Sequence, residues 1–158
     1  MSPTPLDRDT RSLYDALSDL VRLVQFRDRD RICCHDVSVT QCYGLESLVR
    51  RGPLSLGALA AELYLDKSTA SRVVDALERK GYARRDADPD DARGVRVSAT
   101  AEGRKLHARI YGDILREERE ILATFPPEIR ASMTELLRRL VMAMADRSNV
   151  PTPSCCSR

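Results

Sequence analysis

Residues 65–85 read LDKSTASRVVDALERKGYARR. Ala70, Val73, Val74 and Leu77 fall at i, i+3, i+4 and i+7, the apolar stripe of one helix face. Asp66 stands where an N-cap is wanted and Gly81 where a helix must stop, so the spacing predicts a helix between them. Shifting each apolar position back by two gives Ser68, Ser71, Arg72 and Asp75. Two residues turn a helix by about 200°, so this second set points away from the core. Lys67, Ser68 and Thr69 form the first turn, where free N–H groups and the helix dipole attract anions. Ser, Thr and Arg suit phosphate oxygens and base edges, and arginine can take guanine O6 and N7 together.

Upstream, Ser55 can cap a short helix with Leu56, Leu59, Ala60 and Leu63 inward. Two short helices joined by the tight turn YLD are a helix-turn-helix candidate. Downstream come YARRDA and VRVSA, where Val95 and Val97 alternate with Arg96 and Ser98 as in a strand. The intervening DADPDDARG has the composition of a hairpin tip. Such a hairpin can carry Arg93 into a minor groove, with Asp91 placed to hold its guanidinium. The plainer alternative is a solvated acidic turn with which Arg93 pairs.

Further out the pattern stays helical. Leu13, Leu17, Leu20, Val21 and Val24 mark a first helix over roughly residues 9–30. Ser38 to Gln41 read as a capping box opening a second helix, which Gly52 and Pro53 stop after Arg51. Thr100 can cap a long fifth helix bearing Leu106, Ile110, Ile114, Ile121 and Leu122. Pro126 and Pro127 break it, and Ile129, Met133, Leu136, Leu137, Leu140 and Met144 mark a sixth. The expected fold is mainly α with a small β-hairpin: a winged helix-turn-helix plus a helical dimerisation region. Residues 1–147 form a single domain, with a reading lobe at about 53–99, dimerisation helices at about 8–32 and 100–147, and a tail at 148–158. The outer apolar stripes must be buried, either by a partner subunit, giving a homodimer, or in an intramolecular bundle.

The bulk properties exclude several classes. The chain has 158 residues, 42% hydrophobic and 32% charged, which fits one helix-rich domain rather than disorder. No apolar run is long enough to span a bilayer, and the N-terminal MSPTPLDRDTRS has no signal core, so a cytoplasmic protein without a membrane partner is expected. The net charge is only +2. Yet Lys67, Arg72, Arg79, Lys80, Arg84 and Arg85 face only Asp75 and Glu78 over residues 67–85, a local excess that suits a polyanion. A sequence-neutral architectural DNA binder would carry a larger positive excess. A thiol oxidoreductase would want C-x-x-C beside a βαβ pattern, and neither occurs. There is no P-loop, H-E-x-x-H or G-x-S-x-G.

LDKSTASRVVDALERKGYARR and DPDDARGVRVSATAEGRKL resemble the MarR family of winged-helix transcriptional regulators. The second stretch matches the family's Asp-x-Arg wing through Asp91 and Arg93, and its Thr-x-x-Gly helix start through Thr100 and Gly103. In element order the similarity covers roughly residues 8–147. The resemblance implies a homodimer joined by its first and last helices. It also implies binding to pseudo-palindromic double-stranded operator DNA, usually to repress, with release by a small ligand or oxidant. It assigns DNA contacts to Lys67, Ser68, Thr69, Ser71, Arg72 and Arg93, and no cofactor is needed for folding.

The segment RICCHDVSVTQC (residues 31–42) and the tail PTPSCCSR lie outside the general family pattern. All five cysteines are there: Cys33, Cys34, Cys42, Cys155 and Cys156. In a reducing compartment they are candidates for metal ligands or redox sensors rather than structural disulfides. Cys42, near a helix start, is expected to have a lowered thiol pKa. Soft thiolates favour thiophilic ions. Three would suit trivalent arsenic or antimony, and His35 or a fourth thiol would suit zinc or cadmium. An iron–sulfur cluster, a redox switch and plain packing stay open, the last because Cys42 shares a stripe with Leu45, Leu48 and Val49. His107 reads as a surface or packing residue.

Overall fold

The fold is that of a computed structural model, which describes residues 4–32, 35–89 and 91–148, the side chains of 91–93 and 148 excepted. In chain order the elements are α1 (Pro5–Ile32), α2 (Val39–Arg51), β1 (Leu54–Ser55), α3 (Leu56–Glu62), α4 (Lys67–Arg79), β2 (Ala83–Asp88), β3 (Asp91–Ala99), α5 (Ala101–Ala123) and α6 (Pro127–Ser148). Two compact units divide between Val39 and Thr40.

In the first unit, α1 starts at Pro5, earlier than its apolar stripe suggests. The cause is a reciprocal cap. Asp7 Oδ2 accepts from the Thr4 N–H at 2.8 Å and from its hydroxyl at 2.7 Å, while the Asp7 N–H donates to Thr4 Oγ1 at 3.2 Å. Those bonds from Thr4 hold the Asp7 carboxyl below its ordinary pKa. Pro5 occupies the first helical position, where its missing N–H costs nothing. Leu13, Leu20 and Val21 of the stripe are exposed, and only Asp28 and Ile32 of the helix are buried.

The second unit has its core where α2, α3, α4, β3 and α5 contribute Leu45, Leu48, Leu59, Val74, Leu77, Val97 and Leu106, all buried. The sheet is three-stranded and antiparallel in the order β1-β3-β2, one strand more than the expected hairpin. β1 pairs Leu54 with Val97 and Ser55 with Arg96. Two residues are too few to show alternation, and Ser55 is at once the end of β1 and the N-cap of α3, accepting from the Ala58 N–H at 3.2 Å.

The expected loop over DADPDDARG is mostly strand, since β2 runs to Asp88 and β3 starts at Asp91. Cross-strand pairing makes the acidic strand tolerable: Arg96 Nε lies 2.9 Å from Asp88 Oδ2, and Ser98 Oγ 3.2 Å from Asp86 Oδ2. A register shift between Ala87 and Asp88 absorbs the odd residue.

Both helices of the helix-turn-helix end in the same way. Leu65 N–H donates to Ala60 O at 2.9 Å around Tyr64, whose φ is +54°, and Tyr82 N–H donates to Leu77 O at 2.9 Å around Gly81, at φ +75°. These are Schellman motifs, which favour a left-handed residue because it returns the next N–H to an orphan carbonyl. The second has the expected glycine; the first has tyrosine.

α5 buries Gly103, Leu106 and Ile110 in its first half. Farther along, Ile121 and Leu122 are exposed, as are Ile129, Leu136, Leu137 and Met144 of α6, where Ala145 is the buried hydrophobic residue. Much of the stripes expected to need a cover is therefore exposed on the single chain.

Candidate nucleic-acid interface

The first turn of α4 is organised by Asp66. Its Oδ1 accepts from the Ser68 hydroxyl at 2.5 Å and the Thr69 N–H at 2.8 Å, and its Oδ2 accepts from the Thr69 hydroxyl at 2.6 Å. The Ser68 and Thr69 hydroxyls, then the Thr69 N–H, hold this carboxyl well below the usual carboxylate range. Each hydroxyl has one proton, and both point at Asp66. In this arrangement Ser68 and Thr69 offer an outside partner only acceptor lone pairs. That suits a base-edge donor better than a phosphate oxygen.

The outward face of α4 carries Lys67, Arg72 and Arg79, all exposed and, among the described residues, without an ion-pair partner. Arg72 and Arg79 are seven residues apart, hence on one stripe and about 10 Å apart along the axis. Arg79 is absent from the set picked by sequence, although its i+7 relation to Arg72 marks it. Ser71 and Asp75 face the sheet. Arg85, on β2, places Nη2 2.7 Å from Asp75 Oδ1 and 3.4 Å from Ser71 Oγ, and its Nη1 bonds Glu78. This guanidinium follows a stripe of i, i+4 and i+7, and neither helix nor strand shows it when read separately.

Two more cations, Arg84 of β2 and Arg104 of α5, have partners within the chain. Arg84 Nε lies 2.9 Å from Asp86 Oδ2, and Arg104 Nη1 donates to Ala99 O at 2.6 Å. Both line a cleft of about 440 Å³ at the base of the wing. Lys80 Nζ donates to Gln41 Oε1 at 3.0 Å, which brings in the second residue of the expected capping-box pair. The backbone of Arg93 lies in β3; its side chain and that of Asp91 are outside the described residues.

Thr100 joins the ends of these elements. Its N–H donates to Tyr82 O at 3.0 Å, its hydroxyl donates to Gly81 O at 2.6 Å, and it accepts from the Gly103 N–H at 3.1 Å. The end of α4, the start of the hairpin and the first turn of α5 therefore meet at one threonine.

The MarR family model matches residues 37–95. The uncharacterised HTH-type transcriptional regulator Mb0904 of Mycobacterium bovis is 30% identical over 149 residues, 90% of this chain and 99% of that protein. The chain belongs to the MarR family. It is a DNA-binding transcriptional regulator and not an enzyme. The Thauera aromatica protein assigned to regulation of the hcr operon is 33% identical over 99 residues, covering 62% of this chain but only 60% of that protein. Streptococcus pneumoniae FabT, solved in complex with DNA, superimposes with a TM-score of 0.78 over 87% of this chain and 98% of its own, at 20% identity. At that identity the likeness establishes the winged-helix fold.

Within this MarR-family chain, the described thiol is Cys42, buried on α2 beside Leu45 and Leu48 in the sequence stripe. Cys33, Cys34, Cys155 and Cys156 lie outside the described residues. Among the described residues no cluster of three His, Cys, Asp or Glu could hold a metal ion. His107, on α5, stacks on Tyr111 with ring centroids 5.3 Å apart. Burial lowers its pKa, against the opposing pull of Glu46. Among the described residues, no helix is long and apolar enough to cross a membrane.

Proposed function

We propose that the protein is a cytoplasmic homodimeric repressor that binds pseudo-palindromic operator DNA. It places α4 of each subunit in successive major grooves and Arg93 of each wing in the flanking minor groove. The observation that carries this reading is the outward face of α4, where Lys67, Arg72 and Arg79 stand exposed above a buried apolar stripe. Residues 1–147 act as one winged-helix domain, with helices at about 8–32 and 100–147 joining the subunits and the lobe at about 53–99 reading DNA. Lys67 meets phosphate, Arg72 a base edge, Ser68 and Thr69 base-edge donors, and Ser71 the backbone beside them. The bare stripes of α1, α5 and α6 support the dimer. Fluorescence anisotropy with the DNA upstream of the gene, against random DNA, tests this. Arg72→Ala and Arg93→Ala should each weaken specific binding by about 1–3 kcal/mol. Wild-type affinity for both folded variants sinks the assignment.

For the releasing signal we propose a thiophilic metal or metalloid, trivalent arsenic first, held by thiolates from Cys33, Cys34, Cys42, Cys155 and Cys156. The grouping of three thiols within residues 33–42 and the adjacent pair at 155–156 support this. The burial of Cys42 favours the other four as the points of first contact. Arsenite, antimonite, zinc and cadmium are titrated into the reduced protein–DNA complex, with peroxide as the contrast, in wild type and Cys33→Ser/Cys34→Ser. Release by arsenite that the double variant abolishes supports the site. Release by peroxide alone makes the thiols a redox switch, and release by none makes them packing residues.

A further inference from the structure

Asp66 and α4 together carry three carboxylates, Asp66, Asp75 and Glu78, against three cations, Lys67, Arg72 and Arg79. α4 itself carries a net charge of only +1, and its caps, Asp66 and Lys80, cancel each other. A helix so nearly balanced gains little from a polyanion, and a carboxylate near phosphate is repelled. The two carboxylates of α4 are met from the wing. Arg85 Nη2 is 2.7 Å from Asp75 Oδ1, its Nη1 bonds Glu78, and the same Nη2 is 3.4 Å from Ser71 Oγ. The Arg85 side chain is 29% exposed, so water screens the contacts only in part. A planar guanidinium can serve several acceptors in a row, which a lysine ammonium cannot do with the same geometry.

We propose that Arg85 is a positioning residue for DNA recognition: it neutralises the Asp75–Glu78 stripe so that α4 presents the charge of its three cations undiminished, and it fixes the wing strand at one distance from that helix. This rests on the reading of α4 as the DNA-facing helix. Asp75 and Glu78 also acquire a role. They hold the strand's arginine along the helix, and once paired with it they no longer repel the phosphates. Arg85 acts through them rather than by touching DNA.

A double-mutant cycle separates that action from direct contact. Operator affinity is measured for wild type, Arg85→Gln, Asp75→Asn/Glu78→Gln and all three together, at low and physiological salt, with melting curves for each. Arg85→Gln should weaken binding about tenfold in the wild-type background and about twofold or less once the carboxylates are amides. The gap between Arg85→Gln and wild type should narrow as salt rises, which a purely structural loss would not do. An equal loss in both backgrounds overturns the proposal and makes Arg85 a DNA contact. If Arg85→Gln does not fold, Asp75→Asn/Glu78→Gln decides alone: it should bind operator and random DNA more tightly, and unchanged or weaker binding overturns the proposal. Arg72→Ala, run alongside, keeps the two readings apart. If it binds as wild type, the assignment of α4 itself fails. If it weakens binding while the cycle is additive, only the role of Arg85 falls.

Discussion

Gly103 lies directly against the carbonyl of Tyr82: a Cβ built on it would sit 2.1 Å from that oxygen and 3.0 Å from Leu45 Cδ1. The obstacle is backbone, already fixed by the Thr100 N–H at 3.0 Å, and cannot swing aside. Gly103→Ala should therefore destabilise by about 1–3 kcal/mol or more, the range for forcing atoms into filled space. Thermal melts measure it. A variant within experimental error of wild type would mean that α5 can lift from Tyr82 at no cost.

Tyr64 invites the opposite change. A non-glycine residue at φ +54° bears a steric cost that glycine lacks. The residue is 59% exposed, so most of its surface already meets water. Tyr64→Gly should stabilise by about 0.5–1 kcal/mol in denaturant titration. A loss instead would show that the ring's own contacts outweigh the backbone relief.

Asp66 gives a pH dependence with a definite sign. Its folded pKa is depressed by the hydroxyls of Ser68 and Thr69, so the unfolded chain takes up a proton first as the solution is acidified. The stabilisation is fully present above the unfolded carboxyl value, about 3.9, and fades as pH falls from there toward the folded value. Asp66→Ala should melt lower than wild type by a constant margin at neutral and mildly acidic pH, with the margin shrinking in strong acid. A margin that grows on acidification contradicts the capping role.

The bare apolar faces predict an assembly. Leu136 is 65% and Leu137 46% exposed on α6. Light scattering should find a dimer at micromolar concentration. Leu136→Glu/Leu137→Glu should shift it toward monomer and weaken operator binding along with it. A wild-type chain that stays monomeric at that concentration excludes the dimer.

The helix-turn-helix and its flanking helices were legible because apolar spacing and caps are local signals. Ser55, Asp66 and Thr100 each cap the helix that the sequence pattern places after them. β1 was not legible, because a two-residue strand exists only by pairing with Val97 and Arg96 some forty residues away. The early start of α1 was written in Thr4 and Asp7, but outside the apolar stripe used to find the helix. The site divides in the same way. Periodicity identifies which side chains of α4 face outward. It does not reveal that the hydroxyls of Ser68 and Thr69 are turned toward Asp66, or that Arg85 reaches across from β2. Those are tertiary facts, and charge counting along the chain sees Arg85 simply as one more cation.

The meeting of three elements at Thr100 has a mechanical consequence. α5 is 23 residues long, a rod of about 35 Å held to the end of α4 by its first turn. A rod fixed at one end is a lever. A tilt of about 5° at Thr100 carries its far end through about 3 Å, and a push of that size at the far end returns the same small rotation at Gly81 and Tyr82. The distant half of α5 thus has leverage over the angle at which α4 leaves the core, while the close contact of Gly103 with Tyr82 keeps that rotation from being lost as slack at the pivot.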